Sequence, residues 1–158
     1  MAAALAHAPD APVDFGVLLN LAFGTFKARL HDELSRAGFD DVGPSFGYVF
    51  RLLAKEPLNL SAVAAALAIS APGALKIIND MADKGYVERL AHAGDARQKP
   101  IALTPRARQA MKAARRFHGQ FEAALARQLG ADDAQAARRV LEAIVAAAPA
   151  GEAQLRGV

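Results

Sequence analysis

Apolar residues recur with the period of an α-helix in six separate stretches of this 158-residue chain, and the period changes to two only once. The first stretch predicts one long amphipathic helix from Asp14 to about Ala37. Its apolar positions lie four residues apart: Leu18, Ala22, Phe26, Leu30 and Leu34. Alanine, the strongest helix former, supplies 39 of the residues. The chain is therefore predicted to be mostly α.

Turn and capping residues divide the middle of the chain into three shorter helices. We expect one after Ser45, one over 62–67 with Ser61 as its N-cap, and one from Ser70 to Gly85. The last of these is expected to bury Leu75, Ile78, Met81 and Ala82. A helix, a three-residue turn and a longer helix form the pattern of a helix-turn-helix.

The period of two follows directly. Val87–Arg89 and Ile101–Leu103 alternate in polarity on either side of a long polar loop, which predicts a β-hairpin, with Pro100 suited to an edge strand. Thr104 followed by proline begins a fifth helix, which ends at Gly130. A sixth helix is expected with Asp132 as its cap. The predicted fold is mostly α with a small β-hairpin wing.

Positive charge is concentrated around this hairpin. The chain as a whole has a net charge of +3, but residues 84–116 carry nine Lys or Arg against two acidic residues. Residues 1–83 carry six basic residues against nine acidic ones, and residues 117–158 carry four basic against five acidic. Such a basic segment in a near-neutral chain is typical of a surface that meets a polyanion, and a solvated basic face is the alternative.

Several functional classes have no support in the sequence. There is no cysteine, and the four histidines are scattered without metal-ligand spacing. No apolar run reaches the length of a membrane span, and the first 14 residues lack the pattern of a signal peptide. We therefore expect a cytoplasmic globular protein with no cofactor and no metal, with residues 1–12 as a flexible N-terminal arm.

Three segments together resemble the MarR family of winged helix-turn-helix regulators. They are Leu60-Ser61-Ala62-Val63-Ala64, then Met81 to Arg89 (M-A-D-K-G-Y-V-E-R), then Gly94-Asp95-Ala96-Arg97 with Ile101 to Thr104. The resemblance extends over about residues 14–148. Two departures stand out: Ala107 replaces a usual glycine, and the fourth helix begins Ala-Pro-Gly-Ala at Ala71, where relatives usually have hydroxyl and amide side chains.

The resemblance implies a homodimeric DNA-binding regulator of transcription, with repression expected, that binds a pseudo-palindromic operator. It implies a winged helix-turn-helix over 43–103 and a helical dimerisation region formed by 13–37 with 104–148. The residues expected to contact DNA are Ser70, Ala71, Pro72, Gly73, Leu75, Lys76, Asn79, Arg89, Asp95, Arg97 and Lys99. Of these, Arg97 is expected at the wing tip in a minor groove, oriented by Asp95, with Lys84 as a further phosphate contact.

The dimer interface is expected from the length of the first helix and the Leu- and Ala-rich final pair, which one small domain cannot cover. Its predicted residues are Leu18, Leu19, Leu125, Leu129, Leu141, Ile144 and Val145. The resemblance also implies release from DNA by a small aromatic or carboxylate effector. Candidate lining residues are Phe15, Phe23, Phe46, Phe50, Arg51, Phe117 and His118, with plain core packing as the alternative.

Two other functions fit parts of the chain. A winged-helix module that binds a partner protein would explain the few polar groups at the start of the fourth helix. A serine hydrolase is suggested by Gly43-Pro44-Ser45-Phe46-Gly47, which has the form G-x-S-x-G. That motif needs a strand before Ser45 and a helix after it, and a helix is predicted before it instead.

Overall fold

The computed structural model describes residues 13–90 and 99–147. Within these ranges the chain forms six helices and one two-stranded antiparallel sheet, in the order that the sequence predicts. The helices are α1 (Phe15–Arg36), α2 (Phe46–Leu53), α3 (Leu60–Leu67), α4 (Ala71–Asp83), α5 (Pro105–Leu129) and α6 (Ala131–Ala146). The strands β1 (Val87–Arg89) and β2 (Ile101–Leu103) lie between α4 and α5. The predicted fold, mostly α with a small β-hairpin wing, is confirmed.

Helices α3 and α4 form the helix-turn-helix. The turn between them contains Ala68 at φ 50°, a left-handed conformation that is costly for any residue with a Cβ. Ser70 caps α4 as predicted, because its hydroxyl accepts the N–H of Gly73. The predicted cap of α3 is wrong: the cap is Asn59, whose side chain accepts the N–H of Ala62, so α3 begins at Leu60, two residues earlier than predicted.

The wing sheet has a third participant that the alternating pattern does not reveal. Val87 pairs with Leu103 and Arg89 with Ile101, so β1 and β2 form the predicted hairpin. Leu58 then bonds the other side of Ile101 through both backbone groups, at 2.8 and 3.2 Å. The sheet still has only two strands, so β2 is an edge strand, as predicted from Pro100, with one isolated bridge to Leu58 on its outer side.

One hydrophobic core joins the helix-turn-helix to the base of the wing and to the start of α5. Tyr86, Ile78, Met81 and Ile101 are fully buried in it, and Ala107 brings α5 against the same cluster. Phe46 and Phe50 pack edge-on against the Tyr86 ring, at centroid distances of 5.6 and 5.7 Å. This core fixes α4 and the two strands relative to each other, so their exposed faces are presented as one surface.

The outer helices are much less covered. Helix α6 has no buried residue, and α1 buries only Leu34 near its C-terminal end. Thr104 caps α5 as predicted, by accepting the N–H of Ala107. The predicted Asp132 cap of α6 is wrong: the N-cap is Gly130 at φ 99°, and Asp132 lies in the first turn, where a carboxylate favours the helix dipole.

In the described ranges no single helix is both long and apolar enough to cross a bilayer. Only α3 and α4 taken together meet that test, and they are bent by 111° at their junction.

Candidate nucleic-acid interface

Helix α4 has one buried side and one exposed side. Ala74, Ile78 and Met81 are fully buried. The opposite side consists of Pro72, Leu75, Lys76, Asn79 and Asp83, all exposed. The expectation that Leu75 belongs to the buried stripe is wrong: it is 38% exposed, because six residues separate it from Met81 and place it about 120° around the helix from that buried side chain. We call these five residues the α4 face.

The first turn of the α4 face offers few polar groups. The Ser70 hydroxyl is occupied as the cap of the helix, and the next residues are Ala71 and Pro72. Gly73 is partly covered, and a Cβ at this position would come within 3.2 Å of the Ser70 hydroxyl oxygen. Most of the polar chemistry on this face therefore comes later, from Lys76 and Asn79.

Arg89 connects the wing strand to the α4 face. Its Nη2 donates to Oδ1 of Asn79 at 3.0 Å, and both side chains are exposed. Lys99 lies two residues before Ile101, the partner of Arg89 in the hairpin, and is half-buried. Asp95 and Arg97, predicted for the wing tip, lie outside the described residues.

Part of the basic excess is paired within the chain, which the charge count could not reveal. Lys84 bonds Asp80 at 3.0 Å and lies over the Phe46 ring. Arg116 bonds Glu33 at 2.9 Å, and Arg106 bonds Asp41. The phosphate contact predicted for Lys84 would therefore compete with its ion pair to Asp80. Arg108, Lys112 and Arg115 are exposed along α5.

The Asp41–Arg106 pair belongs to a cluster that no sequence pattern indicates. Arg106 donates from Nη2 to both oxygens of Asp41, at 3.0 and 3.2 Å, and its guanidinium lies 4.9 Å from the centroid of the Tyr86 ring. The Tyr86 hydroxyl also donates to Asp41. The cluster connects the α1–α2 loop, the residue before β1 and the first turn of α5, and it therefore holds the base of the wing against α5.

The pKa values in this cluster follow from burial and hydrogen bonding. Burial raises the pKa of Asp41, but bonds from Tyr86 and Arg106 outweigh it, so the pKa lies below its usual value of 3.8. Burial and the bond to Asp41 raise the pKa of Tyr86 to about 12. Asp41 is therefore an anion and Tyr86 a neutral donor at neutral pH. The sequence does not predict that these three side chains contact one another. Each is a common residue in its setting: Asp41 in a loop, Tyr86 after Lys-Gly and Arg106 in the first turn of a helix.

The structure does not bring the predicted effector-pocket residues together. Phe46 and Phe50 lie in the core, whereas Phe15 and Phe23 are 57% and 49% exposed on α1, and Arg51 is exposed on α2. The expectation that His118 is a core histidine is wrong. It is exposed, with its ring stacked on Phe26 at 5.4 Å.

Phe117, the remaining predicted lining residue, contributes to an open groove of about 340 Å³ between α1 and α5. The groove is lined by Arg29, Asp32, Glu33, Arg36, Phe117, Gln120 and Phe121. Phe117 is buried, and the Arg29 guanidinium lies 5.1 Å from the centroid of Phe121. The two arginines of the lining are balanced by Asp32 and Glu33, and Arg36 is paired with Glu33 at 3.6 Å, so Arg29, beside the aromatic floor, is the cation that a flat anion would meet.

The G-x-S-x-G motif does not have the surroundings of a nucleophile elbow in the described ranges. Ser45 follows the turn after α1 and precedes α2, and the strands there are those of the wing, so the strand of a nucleophile elbow is missing. Across 13–90 and 99–147, no three His, Asp or Glu side chains converge as metal ligands.

The residues predicted for a dimer interface lie on the outer helices, and all but Leu19 are exposed. Val145 is 62% exposed, Leu129 55% and Leu141 49%. Val140, at 45%, extends the same apolar side of α6. Contiguous exposed apolar surface of this kind is typical of an interaction site.

Comparisons with known proteins agree with this geometry. A family model described as MarR family matches residues 42–98, and no curated protein matches the chain. A mutant of MepR from Staphylococcus aureus, bound to an oligodeoxyribonucleotide, is 19% identical with a TM-score of 0.59, covering 85% of this chain and 98% of that chain. RV1404 from Mycobacterium tuberculosis is 20% identical with a TM-score of 0.67, covering 87% and 97%.

A further similar structure contains a bound small molecule. The MarR family protein RV2887 from Mycobacterium tuberculosis, in complex with salicylic acid, is 25% identical with a TM-score of 0.56, covering 87% of this chain and 98% of that chain.

Proposed function

We propose that this chain, whose residues 42–98 match the MarR family model, is a homodimeric, sequence-specific DNA-binding repressor of transcription. Members of this family regulate transcription and are not enzymes. The observation that carries the proposal is the position of the α4 face directly beside the basic wing. The Arg89–Asn79 bond joins the two into one exposed surface.

The α4 face has the shape and chemistry of a helix that enters a major groove. Lys76 and Asn79 can donate to base edges or phosphates, while Leu75 can contact the methyl group of thymine. Arg97 would enter the minor groove next to it, with Asp95 orienting its guanidinium. The MepR mutant bound to an oligodeoxyribonucleotide shares this fold.

Two copies would join through the exposed apolar residues of α1, α5 and α6. Helix α6 buries nothing in the single chain, so a stable state needs a partner for its apolar side. A two-fold axis between the copies would place the two α4 faces on one side of a duplex, about one helical turn apart. We accordingly propose 13–37 with 104–148 as the dimerisation region, 43–103 as the DNA-binding domain and 1–12 as an N-terminal arm.

A small aromatic carboxylate is the effector class that we propose, and the groove between α1 and α5 is its site. Its carboxylate would meet Arg29, and its ring would lie on Phe117 and Phe121. The salicylic acid complex of RV2887 supports this class of ligand. We expect the protein to act in the cytoplasm, where its DNA is.

Selection from a pool of random duplexes tests the DNA-binding proposal without knowledge of the operator. Purified protein should enrich a pseudo-palindrome whose half-sites lie about ten base pairs apart, and should bind it more weakly as salt rises. Sedimentation should give the mass of two chains. Salicylate should weaken binding to the enriched duplex in the wild type, and less in Arg29→Met.

The outcome also separates the alternatives. A dimer that binds no duplex even at low salt would contradict the proposal and favour the protein-interaction module. Covalent labelling of Ser45 by a serine-reactive probe would favour the hydrolase.

A further inference from the structure

The bond between Arg89 and Asn79 fixes which way the Asn79 amide faces. A guanidinium has only donors, so the atom that it bonds, at 3.0 Å, must be the amide oxygen Oδ1. The Nδ2 group, which carries two donors, is on the other branch of the same planar amide. Arg89 therefore holds Asn79 with its acceptor turned to the wing and its donors turned away from it.

Asn79 occupies the centre of the α4 face. It lies one turn after Leu75 and Lys76 and two turns after Pro72, opposite the buried Ala74, Ile78 and Met81. Its free donors are therefore presented beside the Lys76 ammonium, which is also a donor. The acidic Asp83 lies one turn further on, near the C-terminal end of α4, where it repels phosphates rather than attracting them.

We propose that Arg89 is a positioning residue, which makes Asn79 a donor toward DNA and thereby sets a base preference in each half-site. This inference rests on the proposed DNA-binding function and goes beyond it by naming the base chemistry. An asparagine that is free to rotate can read adenine in two bonds, since adenine offers both an acceptor and a donor. With Oδ1 occupied, Asn79 is matched instead to base edges that present acceptors in the major groove.

Guanine, with N7 and O6, and thymine, with O4, present such edges. Cytosine presents a donor, which would face the Asn79 donors without a bond. Adenine presents one acceptor, N7, but its N6 donor next to it would face the Asn79 donors. Leu75, on the same side of the helix, adds an apolar contact that thymine can use through its methyl group. The expected preference at the position read by Asn79 is therefore guanine or thymine over adenine and cytosine.

Base-preference profiles from random duplexes, compared among four proteins, test this inference. In the wild type, the position read by Asn79 should favour guanine or thymine by about fivefold or more. Arg89→Met removes the donor that holds the amide, so this preference should fall toward none or move to adenine. Arg89→Lys keeps a donor and a charge and should retain the preference. Asn79→Asp exchanges the donors for an acceptor, so the same position should move to cytosine.

Lys99→Met is the matched control, because it removes a cation from the wing without touching Asn79. It should lower affinity for all duplexes alike and leave the profile unchanged. The inference would be overturned if Arg89→Met lowered the affinity for all duplexes alike and kept the wild-type base profile. A preference for adenine in the wild type would overturn it as well. All the substituted side chains are exposed or half-exposed, and thermal unfolding of each variant verifies that it is folded.

The inference and the proposed function fail in different ways. Wild-type protein that binds no duplex contradicts both. Wild-type protein that selects a pseudo-palindrome, but whose profile does not respond to Arg89→Met or Asn79→Asp, supports the proposed function and overturns only the inference.

Discussion

Arg106, in the first turn of α5, bonds both carboxylate oxygens of Asp41, which lies 65 residues earlier in the loop between α1 and α2. Tyr86 donates its hydroxyl to the same carboxylate from the residue before β1. Three segments that are distant in sequence are thereby tied at one point. Because this point lies where the wing meets α5, it couples the proposed dimerisation region to the proposed DNA-binding domain.

Asp41→Asn should destabilise the protein by about 1–2 kcal/mol at neutral pH, since it removes the charge that two hydrogen-bond donors satisfy. The folded-state pKa of Asp41 is lowered, so its stabilisation is present above 3.8 and is lost as pH falls through the folded value. The difference in the free energy of unfolding between Asp41→Asn and the wild type should therefore be smaller at acidic pH. Denaturant unfolding at neutral and acidic pH measures both effects.

Asp40→Asn is the control for this substitution, because Asp40 is the exposed neighbour in the same loop. It should change the free energy of unfolding by less than about 0.5 kcal/mol. Equal losses from Asp40→Asn and Asp41→Asn would show that net charge, and not the cluster, accounts for the effect.

The Tyr86 hydroxyl should lose its proton at a higher pH than an ordinary tyrosine does. Its pKa is raised to about 12 from a usual value near 10, so the folded state holds this proton longer than the unfolded state does. Stability should therefore fall as pH rises from about 10 to 12. The chain has no tryptophan and only two tyrosines, so the phenolate absorbance of a Tyr48→Phe variant reports Tyr86 alone. The absorbance change in that variant should be centred near pH 12, and a midpoint near 10 would contradict the bond to Asp41.

Local patterns predicted most of the fold. The alternation of Val87–Arg89 and Ile101–Leu103 predicts the two strands of the hairpin. Thr104 and Ser70 are predictable as caps because capping depends on residues within one turn. Errors arose where two residues compete for one local role. Asn59 and Ser61 are both good N-caps, and the chain uses Asn59.

Contacts between distant segments could not be predicted in the same way. No sequence pattern around Leu58 indicates that it bonds Ile101, 43 residues later. The sequence of α2 likewise does not indicate that its aromatic rings pack against Tyr86. The α4 face depends only on helical spacing and was largely predicted. The Arg89–Asn79 bond depends on how β1 packs against α4, which spacing alone does not determine.

Ala68→Gly should stabilise the protein by about 0.5–1 kcal/mol. Ala68 is the one non-glycine residue among those described that has a positive φ, at 50°, and glycine removes the clash of its Cβ with the backbone. The gain is reduced by the greater backbone freedom of glycine in the unfolded chain. Thermal and denaturant unfolding provide the measurement. Ala65→Gly, in the middle of α3, is the control and should destabilise by about 1 kcal/mol, so a loss of stability in both variants would contradict the strain at Ala68.

Val145→Glu should convert the proposed dimer to a monomer. Val145 is 62% exposed on the apolar side of α6, and an unpaired carboxylate in an interface costs several kcal/mol. Sedimentation should show half the wild-type mass, and operator affinity should fall because two half-sites are no longer bound together. Gln135→Glu places the same charge on the opposite side of α6 and should leave the dimer intact. A Val145→Glu variant that remains dimeric would place the interface elsewhere.

Lys76→Met should reduce the salt dependence of operator binding. If each Lys76 ammonium neutralises one phosphate, the substitution removes two phosphate contacts from a dimer and lowers the slope of log affinity against log salt by about 1.8. Arg97→Ala should lower the slope in the same way and should also weaken binding most strongly on AT-rich flanks, where a narrow minor groove attracts arginine. Lys27→Met is the charge-matched control, since Lys27 lies on α1 over the Phe23 ring, and it should leave the slope unchanged. Fluorescence anisotropy across a salt series measures all three variants, and equal slopes in all of them would mean that these cations act only through net charge.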